Sequence, residues 1–182
     1  MIPLERYNVN RIRPNPRSPS TDKSVLLRVL CLGNDALADD ALGPEVARQL
    51  QQCGSTEVEI IDSPVSGLSL LDYLLDTKHL VVIDTIQTGD VPVGTIHWFR
   101  EGDGQTVQGG SPHYVGMFDA LKMARQLGLP AADDVRIVAV EAGDCLSFGG
   151  AMCGAVRAAI PEVVGMVVAM IPALRNQSPE PD

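Results

Sequence analysis

Two almost continuous apolar runs constrain this chain more than any other feature. Residues 25–32 read Val-Leu-Leu-Arg-Val-Leu-Cys-Leu and stop at Gly33-Asn34; residues 80–83 read Leu-Val-Val-Ile and end at Asp84. A strand that is apolar on both faces needs cover on both faces, which is the situation inside a parallel sheet. Residues 57–61 and 136–140 give two more strands, and the alternation over 94–99 suits a strand nearer an edge. Helical spacing lies between them, over 41–52 with Pro44 tolerated in the opening turn, over 68–75 after Gly67, and over 115–127. A last helix follows the Gly-rich stretch 143–154, with a kink or restart expected at Pro161. Strands alternating with helices predict an α/β fold whose parallel or mixed sheet is covered on both faces.

At 182 residues the chain suits one domain, and with aromatics at only 4% its core must be built from Val, Ile, Leu, Ala and Met. A net charge of −9 argues against nucleic acid, whose backbone is held by clustered Lys and Arg. Residues 1–24 differ from the rest: Arg6, Arg11, Arg13, Arg17 and Lys23 face only Glu5 and Asp22, among four prolines. They read as a mobile Pro/Arg-rich head, 25–176 as the α/β domain and 177–182 as a short disordered tail. Cys31, Cys53, Cys145 and Cys153 show no metal or disulfide spacing, so a reducing compartment is expected. The head has no apolar central stretch, and the apolar run 163–174 is too short to span a bilayer. A cytoplasmic protein without membrane insertion is the expectation.

In open α/β sheets, sites form beyond the carboxyl ends of the strands. Three places there can do chemistry: Gly33 to Asp40 with its Asp39-Asp40 pair, Asp84, and Ser111-Pro112-His113. Each has a plain alternative. Either aspartate can cap the helix that follows, Asp84 can tie down a neighbouring loop, and a single histidine is more often a cap or a surface group than a ligand. Together, two carboxylates and an imidazole make a suitable open site for a divalent transition metal such as nickel or zinc. Other chemistries have less support. Ser66-Gly67 is not in a nucleophile elbow, no Gly-rich phosphate loop is present, and there is no His-Glu-x-x-His helix. Cys31 lies within a strand and reads as a small hydrophobe, while His79 and His97 read as structural.

The arrangement resembles the maturation proteases of nickel–iron hydrogenases over about residues 26–174. The landmarks are Leu32-Gly-Asn34, Ala38-Asp-Asp40 and Gly43; Ile61-Asp62, Gly67 and Leu70-Leu71; Val81-Val-Ile-Asp84; Gly94-Thr95; Ser111-Pro-His113 with Gly116; and Val138 to Glu141. The resemblance implies a three-layer α/β/α sandwich around a mostly parallel, twisted five-stranded sheet. It implies an endopeptidase that removes a C-terminal extension from the precursor of a hydrogenase large subunit once nickel is in place. Asp40, Asp84 and His113 match the metal-contacting groups. Nickel then arrives with the substrate as the recognition signal, and none is expected to be stably bound by the protease alone. On this reading Asp40 and Asp84 share the work of ligand and general base, and Asp39 caps the helix or orients a ligand. Asp62, Ser63 and Pro64 begin the loop whose position suits recognition of the substrate. The chain departs from the family at Cys31, where a glycine is common, at Asp40, a glutamate in some members, and after Asp62, where many have a Gly-rich turn. The competing expectations are a non-cleaving, metal-sensing assembly factor, a nucleotide- or small-molecule-binding α/β module, and a zinc hydrolase.

Overall fold

The computed structural model describes residues 25–100 and 117–176. The expected head and tail lie outside the described residues, as do Ser111, Pro112 and His113.

Five strands form one sheet: β1 (Leu27–Leu32), β2 (Val58–Ser63), β3 (His79–Ile86), β4 (Ile96–Arg100) and β5 (Asp134–Glu141). Their order is β2-β1-β3-β5-β4, parallel throughout except β4, which runs antiparallel at an edge. Helices α1 (Leu42–Gln52), α2 (Leu71–Leu74), α3 (Met117–Gln126) and α4 (Gly154–Arg175) complete the fold. Side chains alternate across each strand, so the sheet supplies two cores. Leu27, Val29, Cys31, Val81, Ile83, Val138 and Val140 pack with α1 and α4. Leu30, Leu32, Leu80, Val82, Ile86, Ile137 and Ala139 pack with Leu70, Leu74 and α3. These are the expected three layers, and among the described residues the buried hydrophobic side chains are Leu, Val, Ile, Ala and Met with Cys31, none of them aromatic.

The strand ends differ from those read in the sequence. β3 continues past Asp84 because Asp84, Thr85 and Ile86 still pair with Ala139, Val140 and Glu141 of β5. Asp84 is therefore an interior strand residue, not the terminal one. β2 likewise runs through Asp62 and Ser63, which pair with Cys31 and Leu32, so the expected recognition loop begins inside a strand. The helix expected over 68–75 is a 3-10 turn at Gly67–Leu70 followed by α2. Helix α4 runs unbroken through Pro161 and Pro172, against the expected restart. Both prolines lie on its exposed side, where a carbonyl deprived of its helical partner can turn to water. The helix is also longer than the apolar run suggested: by length and composition alone it could cross a membrane, and 33% of its most apolar window is buried. Here it packs on the sheet through Val156, Ile160, Val163, Val167 and Leu174.

β1 has β2 on one side and β3 on the other, so the chain reverses its direction of winding between β1 and β3, the place where folds of this kind form a crevice at the carboxyl ends of the strands. The segment leaving β1 must stay close to it to line that crevice. Two glycines permit this. A Cβ on Gly43 would stand 1.9 Å from the carbonyl oxygen of Leu32, and one on Gly33 would stand 2.1 Å from that of Asp40. Gly33 also has φ +140, a conformation L side chains rarely adopt. Gly43→Ala is expected to lower stability by about 1–3 kcal/mol or more, the cost of forced overpacking against backbone, read from urea unfolding midpoints.

Candidate active site

After Leu32 the chain makes a short excursion and returns as a 3-10 turn at Ala38–Ala41 that leads into α1. The excursion is tied by its own groups: Asn34 Oδ1 accepts from the N–H of Ala36, and the N–H of Asn34 donates to the carbonyl of Asp40. Asp39 and Asp40 are consecutive in this turn and both are buried.

Asp39 does not cap its own helix. The turn is preceded by Leu37 and has no side-chain cap. Instead Asp39 reaches the loop between β5 and α4. Its Oδ2 accepts from the N–H groups of Gly143 and Asp144, both at 2.9 Å, and its Oδ1 from that of Cys153 at 2.6 Å. The Asp39 N–H donates back to the Asp144 carbonyl at 2.8 Å. The expected cap thus becomes a clamp between two loops.

Asp40 turns to β3, where the Thr85 hydroxyl donates to its Oδ1 at 3.2 Å. The N–H of the same Thr85 donates to Asp84 Oδ1 at 2.7 Å. One residue therefore touches both candidate carboxylates, and Asp84 is wholly buried. The reason lies in the sheet. β1 pairs with β3 only as far as Ile83, whereas β5 pairs to Ile86, so Asp84 lies level with Leu32 at the end of β1 and Thr85 lies just beyond it. Cys145 joins the group by donating its S–H to the Thr85 hydroxyl at 3.5 Å. Burial pushes the Cys145 thiol up to about 11, and the negative charges of Asp40, Asp39 and Asp84 add to this against the Thr85 hydrogen bond. It serves here as a hydrogen-bond donor to Thr85. Cys31 is shifted further: burial and the charge of Asp62 raise its thiol far above the usual range.

Neither Thr85 nor Cys145 carried any signal in the sequence beyond Thr85 following Asp84. Glu141 was a landmark without a role. It is buried at the end of β5 and receives the N–H groups of Thr88 and Gly89, the Thr88 hydroxyl and His97 Nε2. It fixes the turn after β3 that forms one wall of the crevice. His97 and His79 keep the structural roles read for them, paired with Glu141 and Asp134. Of the recognition segment, Ser63 is turned inward, with its Oγ accepting from the Val65 N–H, while Asp62 and Pro64 are exposed at the carboxyl end of the β2 edge strand. No cluster of three metal-capable side chains occurs among the described residues, and His113 lies outside them.

A family model described as hydrogenase maturation protease matches residues 44–170. The chain is 31% identical over 104 residues to the hydrogenase 2 maturation protease of Escherichia coli strain K12, a match covering 55% of this chain and 63% of that protein's length. It is 26% identical over 145 residues to the hydrogenase expression/formation protein HupD of Rhodobacter capsulatus, covering 75% and 68%. Among solved structures, the hydrogenase maturating endopeptidase HybD from E. coli superposes with a TM-score of 0.68 at 27% identity, over 84% of this chain and 93% of that one. The hydrogenase maturation protease HybD from Thermococcus kodakarensis has the same fold, with a TM-score of 0.65 at 20% identity, over 79% and 97%.

Two outcomes follow from the clamps. Asp39→Ala leaves three amides without their acceptor and is expected to cost about 2–3 kcal/mol, with faster amide exchange confined first to residues 143–153. For Glu141, burial works to raise the carboxyl, but the Gly89 and Thr88 amides, the Thr88 hydroxyl and His97 outweigh it and hold it below the ordinary glutamate range. A lowered folded-state pKa stabilises above the unfolded value and is lost as pH falls through the folded one. The wild type should therefore exceed Glu141→Gln in stability at pH 7 and lose that lead on acidification to pH 3, as followed by thermal unfolding.

Proposed function

Because the chain belongs to the hydrogenase maturation protease family, we propose that it is the endopeptidase that removes the C-terminal extension of a nickel–iron hydrogenase large-subunit precursor after nickel insertion. The observation that carries this reading is the pair of buried carboxylates, Asp40 and Asp84, held through Thr85 at the crevice between β1 and β3. The E. coli structure of this fold is that of a hydrogenase maturating endopeptidase, and the reading transfers that chemistry to these residues.

Nickel is part of the substrate in this reading. Two carboxylates suit a borderline divalent cation and leave coordination positions for the ligands the precursor supplies, so the contact is one-sided and reversible. His113 is the proposed third contact. Bound there, the cation supplies charge that polarises a nearby carbonyl. The chain's own groups do the rest. The Thr85 hydroxyl orients Asp40, its N–H orients Asp84, and one of the two carboxylates takes a proton from the attacking water. Asp39, committed to three backbone amides, keeps the Cys145 side of the crevice in place. Asp62 and Pro64, exposed at the end of the neighbouring edge strand, contact the precursor and set partner choice, while the inward-facing Ser63 holds the turn behind them. The four cysteines are free thiols, which suits the cytoplasm as the place of reaction.

The test is a mass-spectrometric cleavage assay with the large-subunit precursor, with and without inserted nickel. Loss of one discrete C-terminal peptide from the nickel-loaded form only is expected. Asp40→Asn and Asp84→Asn should each slow that cleavage by about 10²–10⁴-fold, the range for a displaced general base. Full cleavage by Asp40→Asn would refute the assignment. Association without cleavage of either precursor form would instead make the protein a metal-sensing assembly factor.

A further inference from the structure

Two large apolar side chains project into solvent from the loop that Asp39 holds: Leu146 is 83% and Phe148 85% exposed. Such exposure on a floppy loop would mean little, because ordering the loop would cost as much as burying the side chains gains. This loop is not floppy. Besides the three amides given to Asp39, the Asp144 carboxylate accepts from the N–H groups of Leu146 and Ser147, both at 2.9 Å. Ala38 N–H donates to the Ser147 carbonyl and Gly149 N–H to that of Ala36, so Phe148 bridges to Leu37 as if in a strand. Gln87 binds the Gly143 carbonyl at 2.9 Å from the far wall. Leu146 and Phe148 thus stand on a backbone fixed to the same turn that carries Asp40, one residue after Cys145 has reached into the site.

The surroundings specify what would cover them. Across the segments 33–44, 84–95 and 141–156 that form the crevice walls, every charged side chain is acidic: Asp35, Asp39, Asp40, Asp84, Asp90, Glu141 and Asp144. Of these, Asp35 and Asp90 are exposed and Asp144 is half-buried, so these three give the rim its charge. A second copy of the same face would bring acid against acid, which is unfavourable. We propose that Leu146 and Phe148 form the docking platform for the precursor segment next to the cleavage point, and that this segment pairs a bulky apolar residue with adjacent basic side chains. The proposal rests on the protease reading above and identifies which part of the substrate the loop recognises. The apolar residue settles between Leu146 and Phe148, and the basic groups meet the acidic rim, steering the chain across the ends of β1 and β3. Because the loop is already ordered, contact area there converts to affinity with little entropic cost.

The test compares the full chain with Leu146→Ser/Phe148→Ser, a conservative Leu146→Met/Phe148→Tyr variant, and Leu127→Ala. Leu127 is similarly exposed but lies past the end of α3, at the opposite end of the sheet. Affinity for the nickel-loaded precursor is measured by biolayer interferometry, and KM and kcat from the cleavage assay. The serine pair should raise Kd and KM at least tenfold while leaving kcat within about twofold and Tm unchanged, since neither side chain packs in the core. The conservative pair and Leu127→Ala should behave as the wild type, and raising NaCl from 50 to 500 mM should weaken wild-type binding. Unchanged Kd and KM in the serine pair would overturn the inference while leaving the protease reading intact. Weakened binding in the serine pair, with no cleavage by the wild type, would uphold the platform and sink the protease reading instead. Conversion of a dimer to a monomer without loss of precursor affinity would make the pair a self-association surface and overturn the inference. No precursor binding by the wild type would overturn both.

Discussion

The carboxylate of Asp39 holds together two loops that the sheet alone would leave independent. One leaves β1, the other leaves β5, and β3 lies between those strands. Burying a carboxylate costs several kcal/mol unless its oxygens are answered, and here three amides answer them. Those amides would themselves be short of acceptors, because the loop 143–153 belongs to no regular element. Each need meets the other. The exchange closes the crevice on one side, brings Cys145 to Thr85, and sets Leu146 and Phe148 at the rim.

The neighbouring aspartate works differently, and the contrast shows how consecutive residues acquire separate tasks. Within a 3-10 turn successive side chains point about 120° apart, so Asp39 and Asp40 cannot face the same partner. Asp39 faces a fixed backbone. Asp40 has a hydroxyl among its partners, and the Thr85 hydroxyl can rotate and find another acceptor as a backbone amide cannot. Under the proposed function Asp40 exchanges partners during the reaction, and a rotating hydroxyl suits that better than three amides. Glu141 repeats the first pattern on the opposite wall, where it locks the turn after β3.

The parts of this structure legible in the sequence are those where one segment determines its own environment. The runs 25–32 and 80–83 are apolar on both faces because helices cover both faces, and so they announced a parallel sheet before any partner was known. The alternation over 94–99 likewise marked β4 as an edge. Strand ends were not legible. Whether Asp84 to Ile86 remain in β3 depends on pairing with residues 139–141, and nothing near Asp84 records that. Of the kink or restart expected at Pro161, the restart does not occur for a related reason: the orphaned carbonyl on the exposed side of α4 can turn to water and the helix continues. In the site, carboxylates read near the carboxyl ends of strands brought Asp40 and Asp84 forward as candidates, and the fold sets both against Thr85, but the clamp by Asp39 joins residues more than a hundred positions apart. Asp followed by a helix reads as a cap, and only the fold reveals the other loop.

The close approach of β1 to the start of α1 places one further constraint on the chemistry. Gly43 sits against the Leu32 carbonyl, and Gly33 against that of Asp40, so the turn carrying both aspartates is pressed onto the end of β1. Asp40 therefore cannot advance far toward a substrate; the substrate must come to it. A longer acid would extend past Thr85, whereas the short aspartate keeps its oxygen within reach of that hydroxyl. A site so recessed discriminates by what can be inserted, and under the proposed function a cation displayed on the precursor is small enough to enter where a folded surface is not. On the proposed function, the exposed apolar pair and the acidic rim act on the part of the precursor that stays outside, while the buried carboxylates test for the cation it carries.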